Sequence, residues 1–396
     1  MPSTVKGFRF AQVEASLRYK GRPDLALIVA DRPAATAAVF TQNAVTAAPV
    51  LLCREHLKKA PKSRAVIINA GRANACTGKP GLADARQTAR ALARTIACRP
   101  EEVLTASTGI IGQRIGVEKL VENVPPLVHA LQPGSIEPLA KAIMTTDTRP
   151  KFAEAGFQSG RTAVTVQGIA KGAGMIAPNM ATLLAFAVTD AVVPQTALRQ
   201  AFGIATRDSF NAITIDGDTS TNDTAILMAS GAAGAENLAP GSAGFRKFAG
   251  ALAEVMTALA RMVVSDGEGA TRLIRVAVTG ARSEPEARRA AFTIANSPLC
   301  KTAFAGGDPN WGRLIAAAGR AGVKLNGEKF SVTIGGVPVV KRGVLPSIET
   351  DRAAAAVMKG SEFDVVVDLA SGRAKASVYT CDFTEGYIRI NADYRS

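Results

Sequence analysis

Apolar residues in the first seventy positions fall into short runs, 24–31 (DLALIVAD), 37–40, 50–53 and 65–69 (AVIIN), each closed by turn-forming residues. Runs of this length, rich in branched side chains, predict strands of one sheet. The period then changes. Across 82–97 (LADARQTARALARTIA), Ala85, Ala89, Leu92 and Ile96 share one helical face, and Pro100 stands just beyond as a stop. A longer helix is predicted over 245–264, where Phe245, Phe248, Leu252, Val255, Leu259 and Met262 repeat at the spacing that buries one face against a sheet. After it, the apolar runs FSVTIG, FDVVVDL, AKASVYTCDF and EGYIRINADY read as strands. With a helix near 351–359, they suit a second α/β lobe.

Several polar stretches interrupt this pattern at places where chemistry can sit. In 101–120 (EEVLTASTGIIGQRIGVEKL) a strand ends at Ser107-Thr108-Gly109 and turns into a helix. The turn presents backbone N–H groups and a hydroxyl, donors able to stabilise an oxyanion. A capping threonine with a turn glycine gives the same pattern. In 171–186 (KGAGMIAPNMATLLAF) a loop made pliable by Gly172 and Gly174 enters an apolar run at Ala181-Thr182. A threonine hydroxyl becomes a nucleophile when a base takes its proton, and its own α-amine serves once the preceding bond is cut. An ordinary loop entering a core strand looks similar.

The segment 141–151 (KAIMTTDTRPK) reads as a polar loop, Glu268 lies between two glycines at the mouth of a strand, and 211–223 (NAITIDGDTSTND) gathers Asp216, Asp218 and Asp223. The twelve-residue calcium-loop pattern is absent from that last segment, so no metal is expected there.

Composition narrows the classes. The chain has 396 residues, enough for one large or two medium domains. No run approaches the ~18–20 continuous apolar residues of a membrane span, and the first residues lack the apolar core of a signal peptide, so a cytoplasmic protein without membrane association is expected. The five cysteines are scattered without metal-ligand spacing and are expected to be reduced, buried thiols. The net charge of +14 is spread in short groups without interleaved aromatics, which predicts a basic solvated surface rather than a nucleic-acid site. Only His56 and His129 are present, and His129 is expected on a helix face. A histidine-based triad is therefore hard to build, which favours an amine or another residue as base.

The segment KGAGMIAPNMATLL, with NSPLCKTAFAGGDPNWGR at 296–313 and INADYRS at the end, closely resembles the ornithine acetyltransferase family, the bifunctional proteins of arginine biosynthesis. The resemblance runs from KGFR near the start to the last residue. It implies a self-processing α/β fold of two lobes with layered sheets and helices, an αββα-type sandwich in a main lobe over 1–280 and a smaller α/β lobe over 281–396. It also implies autocatalytic cleavage between Ala181 and Thr182, giving fragments 1–181 and 182–396 that assemble as two α and two β chains.

The resemblance gives roles to particular residues. Thr182 is the nucleophile, and Thr108 and Gly109 form the oxyanion hole. Thr145, with Thr146 as its neighbour and rival, Lys171, Glu268, Asn391 and Ser396 contact substrate. The implied reaction moves an acetyl group from N-acetylornithine to glutamate through an acetyl-threonine ester. No cofactor is implied, although acetyl-CoA serves some family members as a further donor. An aminopeptidase or amide hydrolase of related fold, with the same nucleophile acting on water, is the alternative. Two positions depart from the family pattern: Arg72 stands where asparagine is usual, and Leu183 replaces the common methionine.

Overall fold

Strand β2 (Leu25–Phe40) carries the architecture, because its alternate residues feed two different interiors. Leu25, Leu27 and Val29 enter one apolar cluster, while Ala26, Ile28 and Ala30 enter another. That is the period of two expected of a sheet covered on both faces. The computed structural model describes residues 2–177, 183–234 and 238–393. Within them the chain divides into two units, residues 1–211 with 218–263, and residues 212–217 with 264–395.

The first unit holds β1 (Phe8–Val13), β2, β3 (Lys62–Arg72), β4 (Val103–Ile110), β5 (Gln132–Pro133), β6 (Lys151–Ser159), β7 (Thr162–Lys171), β8 (Leu184–Thr189) and β9 (Thr224–Ala229). Its helices are α1 (Ala48–Lys59), α2 (Gly78–Thr95), α3 (Val117–Glu122), α4 (Val124–His129), α5 (Leu139–Ala142), α6 (Gln195–Asp208) and α7 (Ala243–Ser265), the last running to the unit boundary. The sheet runs β4-β3-β2-β9-β8-β7-β6, with β1 paired to β2 and β5 paired to β1. β2 shifts register between Val29 and Ala34, pairing with β3 over its first half and continuing to β9 over its second. An irregularity of this kind bends a strand. Residues from both halves, Ile28, Ile68 and Leu104 with Ile169, Phe186 and Ile226, meet in one buried cluster. Helices α1 and α2 cover the outer side of the first half through Leu52, Ala85, Ala89 and Leu92. On the other half, α7 seats Leu259 and Val255 over Gly168, where an added Cβ would lie 2.9 Å from Leu259 Cδ1. The unit is an αββα sandwich.

α7 is long and apolar enough, by composition, to cross a membrane, but half of that stretch is buried inside the protein. Phe248, Leu252, Val255 and Leu259 are all within 1% of full burial, as their spacing predicts.

The second unit is built on a sheet of order β12-β11-β13-β10-β14, from β10 (Leu273–Ala281), β11 (Ser331–Ile334), β12 (Val337–Val340), β13 (Glu362–Asp368) and β14 (Ala374–Cys381). It carries α8 (Glu284–Ala295), α9 (Pro298–Gly306), α10 (Trp311–Gly319), α11 (Ile348–Met358) and α12 (Glu385–Asp393). β10 lies inside this sheet, pairing with β13 and β14. The division therefore falls at 263/264, ahead of the 280/281 read from the sequence.

Three further readings change. Residues 50–53 are not a strand but the middle of α1, where Pro49 sits in the first turn and Leu52, Cys53 and His56 are buried at helical spacing. Within EGYIRINADY, residues 385–393 form α12 rather than a strand, and none of them is buried. Cys76 is exposed and Cys98 partly so, whereas Cys53, Cys300 and Cys381 are buried, and burial pushes the Cys53 thiol up to about 12.

Candidate active site

In the first unit the predicted residues gather where β4 and β7 end. β4 lies parallel to β3 with Ala70 opposite Thr108 and Gly71 opposite Gly109. Gly109 has φ 126°, and a Cβ there would lie 2.2 Å from the Gly71 carbonyl carbon, so no other residue fits without moving the strands. Thr108, just before it, is 7% exposed. Lys171, the last residue of β7, donates from Nζ to Thr108 Oγ1 at 3.1 Å. This bond occupies an acceptor position of the hydroxyl and leaves its single proton free to point elsewhere.

Beneath Lys171 lies Asp147, whose structural role was not visible in the sequence. Its Oδ1 accepts from Lys151 Nζ at 2.6 Å and from the Gly172 N–H at 2.7 Å, and its Oδ2 accepts from the Thr145 N–H at 3.0 Å. The Asp147 and Lys151 side chains are both 0% exposed. Burial alone would raise the Asp147 carboxyl, but the charges of Lys171 and Lys151, with the hydrogen bonds, outweigh it and hold the group below its ordinary range. Asp147 thus ties the Thr145 loop to the loop that follows Lys171. The only hint was a lone acid four residues before a lysine in MTTDTRPK. Thr145 and Thr146 are both partly exposed, so burial does not separate them. Arg72, at the end of β3, donates from Nη1 to the Arg114 carbonyl at 3.1 Å.

In the second unit, Glu268 sits in the turn between α7 and β10, 9% exposed. Its Oε2 accepts from Asn391 Nδ2 at 2.9 Å, so these two predicted residues meet. The same amide nitrogen donates to the Tyr387 carbonyl at 3.0 Å. Backbone proximity makes the pairing. Gly269 has φ 69°, and a Cβ on it would lie 2.3 Å from Tyr387 N. Thr384 Oγ1 donates to the Gly269 carbonyl at 2.6 Å. Below the first turn of α12, Phe383 stacks on Tyr387 at 4.7 Å between centroids. Lys301, of the NSPLCKTA segment, is fully buried, donates to Thr380 Oγ1 at 2.9 Å and to the Cys381 carbonyl, and lies 4.5 Å from the Phe383 ring centroid. Lys301 thus holds the end of β14 and Phe383, the stretch that leads into α12.

Ala181, Thr182 and Ser396 lie outside the described residues. Among the described residues, no cluster of three or more His, Cys, Asp or Glu side chains has a metal-binding arrangement.

The sequence matches the ArgJ family over residues 9–396. An arginine biosynthesis bifunctional protein ArgJ of Geobacter sulfurreducens is 49% identical over 392 residues, covering 99% of this chain and 100% of that protein. One from Methylococcus capsulatus is 46% identical, covering 99% and 96%. Among solved structures, an arginine biosynthesis bifunctional protein argJ from Bacillus halodurans is 40% identical with a TM-score of 0.51, covering 53% of this chain and 98% of that one. The chain belongs to the ArgJ family, the bifunctional acyltransferases of arginine biosynthesis.

Proposed function

We propose that Thr182, Thr108, Gly109 and Lys171 carry the acetyl transfer of this ArgJ-family enzyme, with Thr145, Glu268, Asn391 and Ser396 as substrate contacts. The enzyme moves the acetyl group of N-acetylornithine to glutamate. Thr182 Oγ attacks the acetyl carbonyl while the α-amine freed by cleavage takes its proton. Thr108 and Gly109 stabilise the oxyanion, each such donor being worth roughly 3–4 kcal/mol in a water-excluded site. Ornithine leaves, and the amine of glutamate then takes the acetyl group from the threonine ester.

The observation that carries this reading is the Lys171–Thr108 hydrogen bond at the end of β7. In the β7–β8 ladder Lys171 lies opposite Leu184, two residues after Thr182 in sequence. The lysine and threonine already joined there are the ones the family motifs single out. Glu268, paired with a neutral amide rather than a cation, supplies a carboxylate suited to an amino-acid ammonium group.

Processing has support of its own. The Bacillus halodurans chain is matched almost entirely yet covers only 53% of this one, close to the share of residues 182–396. The fragments assemble as two α and two β chains in the cytoplasm, an arrangement to be checked by native mass measurement. Whether acetyl-CoA serves as a further donor to glutamate is decided by offering the labelled compound with glutamate to the purified protein.

Intact-mass measurement of the wild type and Thr182→Ala, with N-acetylornithine and glutamate kinetics, tests the central claim. Fragments meeting at 181/182 and parallel double-reciprocal lines are expected for the wild type, and one inactive, intact chain for the variant. An uncut wild type that still transfers acetyl would remove the freed-amine mechanism.

A further inference from the structure

Residues 36–40 of β2 line an open groove of about 450 Å³, walled by Arg54, Leu57 and Lys58 of α1 and by Arg199 and Phe202 of α6. The floor of this groove is a strand edge. β3 pairs with β2 no further than Ala35, opposite Lys62, whereas β9 follows it to Phe40. Past Ala35, one side of β2 therefore has no neighbouring strand. The first residue there shows which backbone groups that side carries. The Thr36 N–H donates to Gln195 Oε1 at 3.3 Å, and Gln195 Nε2 donates to the Thr36 carbonyl at 2.5 Å. Thr36 thus turns both groups away from Met228, its opposite number on β9. The pattern alternates along an antiparallel ladder, so Ala38 and Phe40 turn their N–H and C=O groups into the groove as well. Thr224, opposite Phe40, gives its N–H to the Leu183 carbonyl instead, as that phase requires. The Gln195 amide stands in for a strand at Thr36; among the described residues nothing does so at Ala38 or Phe40.

The walls carry charge of one sign. Arg54 Nη2 donates to the Thr41 carbonyl at 2.5 Å, and its guanidinium lies 5.9 Å from the Phe40 ring centroid, so one cation is fixed at the end of the edge. Lys58 follows one helical turn later, about 6 Å along α1, close to the ~6.6 Å between alternate side chains of a strand. Arg199 stands on the opposite wall, and both it and Lys58 are exposed. Among the described residues, no acid lines the groove. Glu55, the acid of α1, is held at 2.8 Å by each of Lys59 and Arg86.

We propose that this groove binds an acidic, extended segment of a partner protein, which adds to β2 as a strand beside residues 38–40. Its backbone takes up the N–H and C=O groups of Ala38 and Phe40, and its side chains point alternately to the two walls. Each wall offers both a cation and an apolar surface, Leu57 on α1 and Phe202 on α6, so acidic residues interspersed with apolar ones suit either register. A second copy of this chain is the poorer occupant, because a net charge of +14 sets copies to repel. A compact anion such as phosphate meets the cations but leaves the edge groups unpaired.

The test titrates the active enzyme with three fluorescent peptides: one of alternating glutamate and valine, the same peptide N-methylated at every amide so that it cannot extend a sheet, and one with lysine in place of glutamate. Hydrogen exchange over residues 36–40 is followed by mass spectrometry. The first peptide is expected to bind saturably and to slow exchange over 36–40, and the other two to do neither. Lys58→Glu and Arg199→Glu should each weaken the first peptide at least about tenfold while acetyl transfer stays unchanged. Phosphate, compared with chloride at equal ionic strength, should leave that peptide bound. Equal binding of the N-methylated peptide, or its displacement by phosphate, assigns the groove to a small anion and overturns the proposal. Unchanged exchange over 36–40 also overturns it, leaving the cations as guards against pairing between copies. If a charge-reversed variant loses acetyl transfer as well, the comparison of the three peptides on the wild type decides alone.

Discussion

Lys171 Nζ donates to Thr108 Oγ1 at 3.1 Å, so a lysine at the end of one strand determines which way a threonine hydroxyl on another can aim its proton. Removing the ammonium group while keeping the chain length, as in Lys171→Met, frees that hydroxyl to turn. We expect kcat/KM for acetyl transfer to drop by about 10²-fold, near the loss seen when one oxyanion donor is removed. Thr108→Val, which deletes the donor, should lose about as much, and Thr108→Ser should recover most of it. Steady-state kinetics on both substrates checks the order of these effects.

Asp147 is the anionic partner of Lys151 at 2.6 Å, with both side chains fully buried. Asp147→Asn leaves a buried cation without its partner charge, and breaking such a pair typically costs about 3–5 kcal/mol. The folded protein holds this carboxyl below its unfolded value. Its contribution is therefore present above the unfolded value of about 3.9 and disappears as pH falls through the lower, folded one. Thermal melts of wild type and variant should differ strongly at pH 7 and converge in strong acid; a gap that widens on acidification would refute the account.

Glu268 and Asn391 meet at 2.9 Å, and a hydrogen bond to a charged group is typically worth about 1.5–3 kcal/mol. Asn391→Ala should raise KM for both amino-acid substrates about tenfold with little change in kcat. Glu268→Gln, which removes the charge itself, should be the more severe variant. Equal, unaltered KM values for both would exclude these residues from substrate binding.

Gly269→Ala places a methyl group 2.3 Å from Tyr387 N at a φ of 69°, and α12 must shift to admit it. The expected phenotype resembles Asn391→Ala, with faster amide exchange over α12 and normal exchange over α7. Unchanged exchange in α12 would show that the contact is not needed to hold the helix.

Elements with a long repeated period were legible in the sequence. The α7 face from Phe245 to Met262 and the α2 face through Ala85, Ala89 and Leu92 both stand where their spacing puts them. Two short runs were not. Four apolar residues at 50–53 fit a strand or a helix turn equally, and Pro49 settled the matter by starting α1. EGYIRINADY has enough Tyr and Ile to suggest a strand, yet residues 385–393 form a helix without buried residues, held from the residue just before it by the Thr384–Gly269 hydrogen bond. At the site, motif resemblance singled out Thr108, Lys171, Glu268 and Asn391. It passed over Asp147, whose partners include Gly172, 25 residues further on. A carboxyl defined by distant backbone N–H groups leaves no local mark in the chain.

α12 buries none of its described residues, and its first turn rests on Gly269, where a Cβ at Gly386 would come within 3.1 Å of the Gly269 Cα. α12 is thus a lever on the loop that bears Glu268, and a group attached at the C-terminus pulls on it. Affinity handles, fluorophores and immobilisation chemistry attached to that end would load this lever, so preparations meant for kinetic work are better tethered through the opposite terminus.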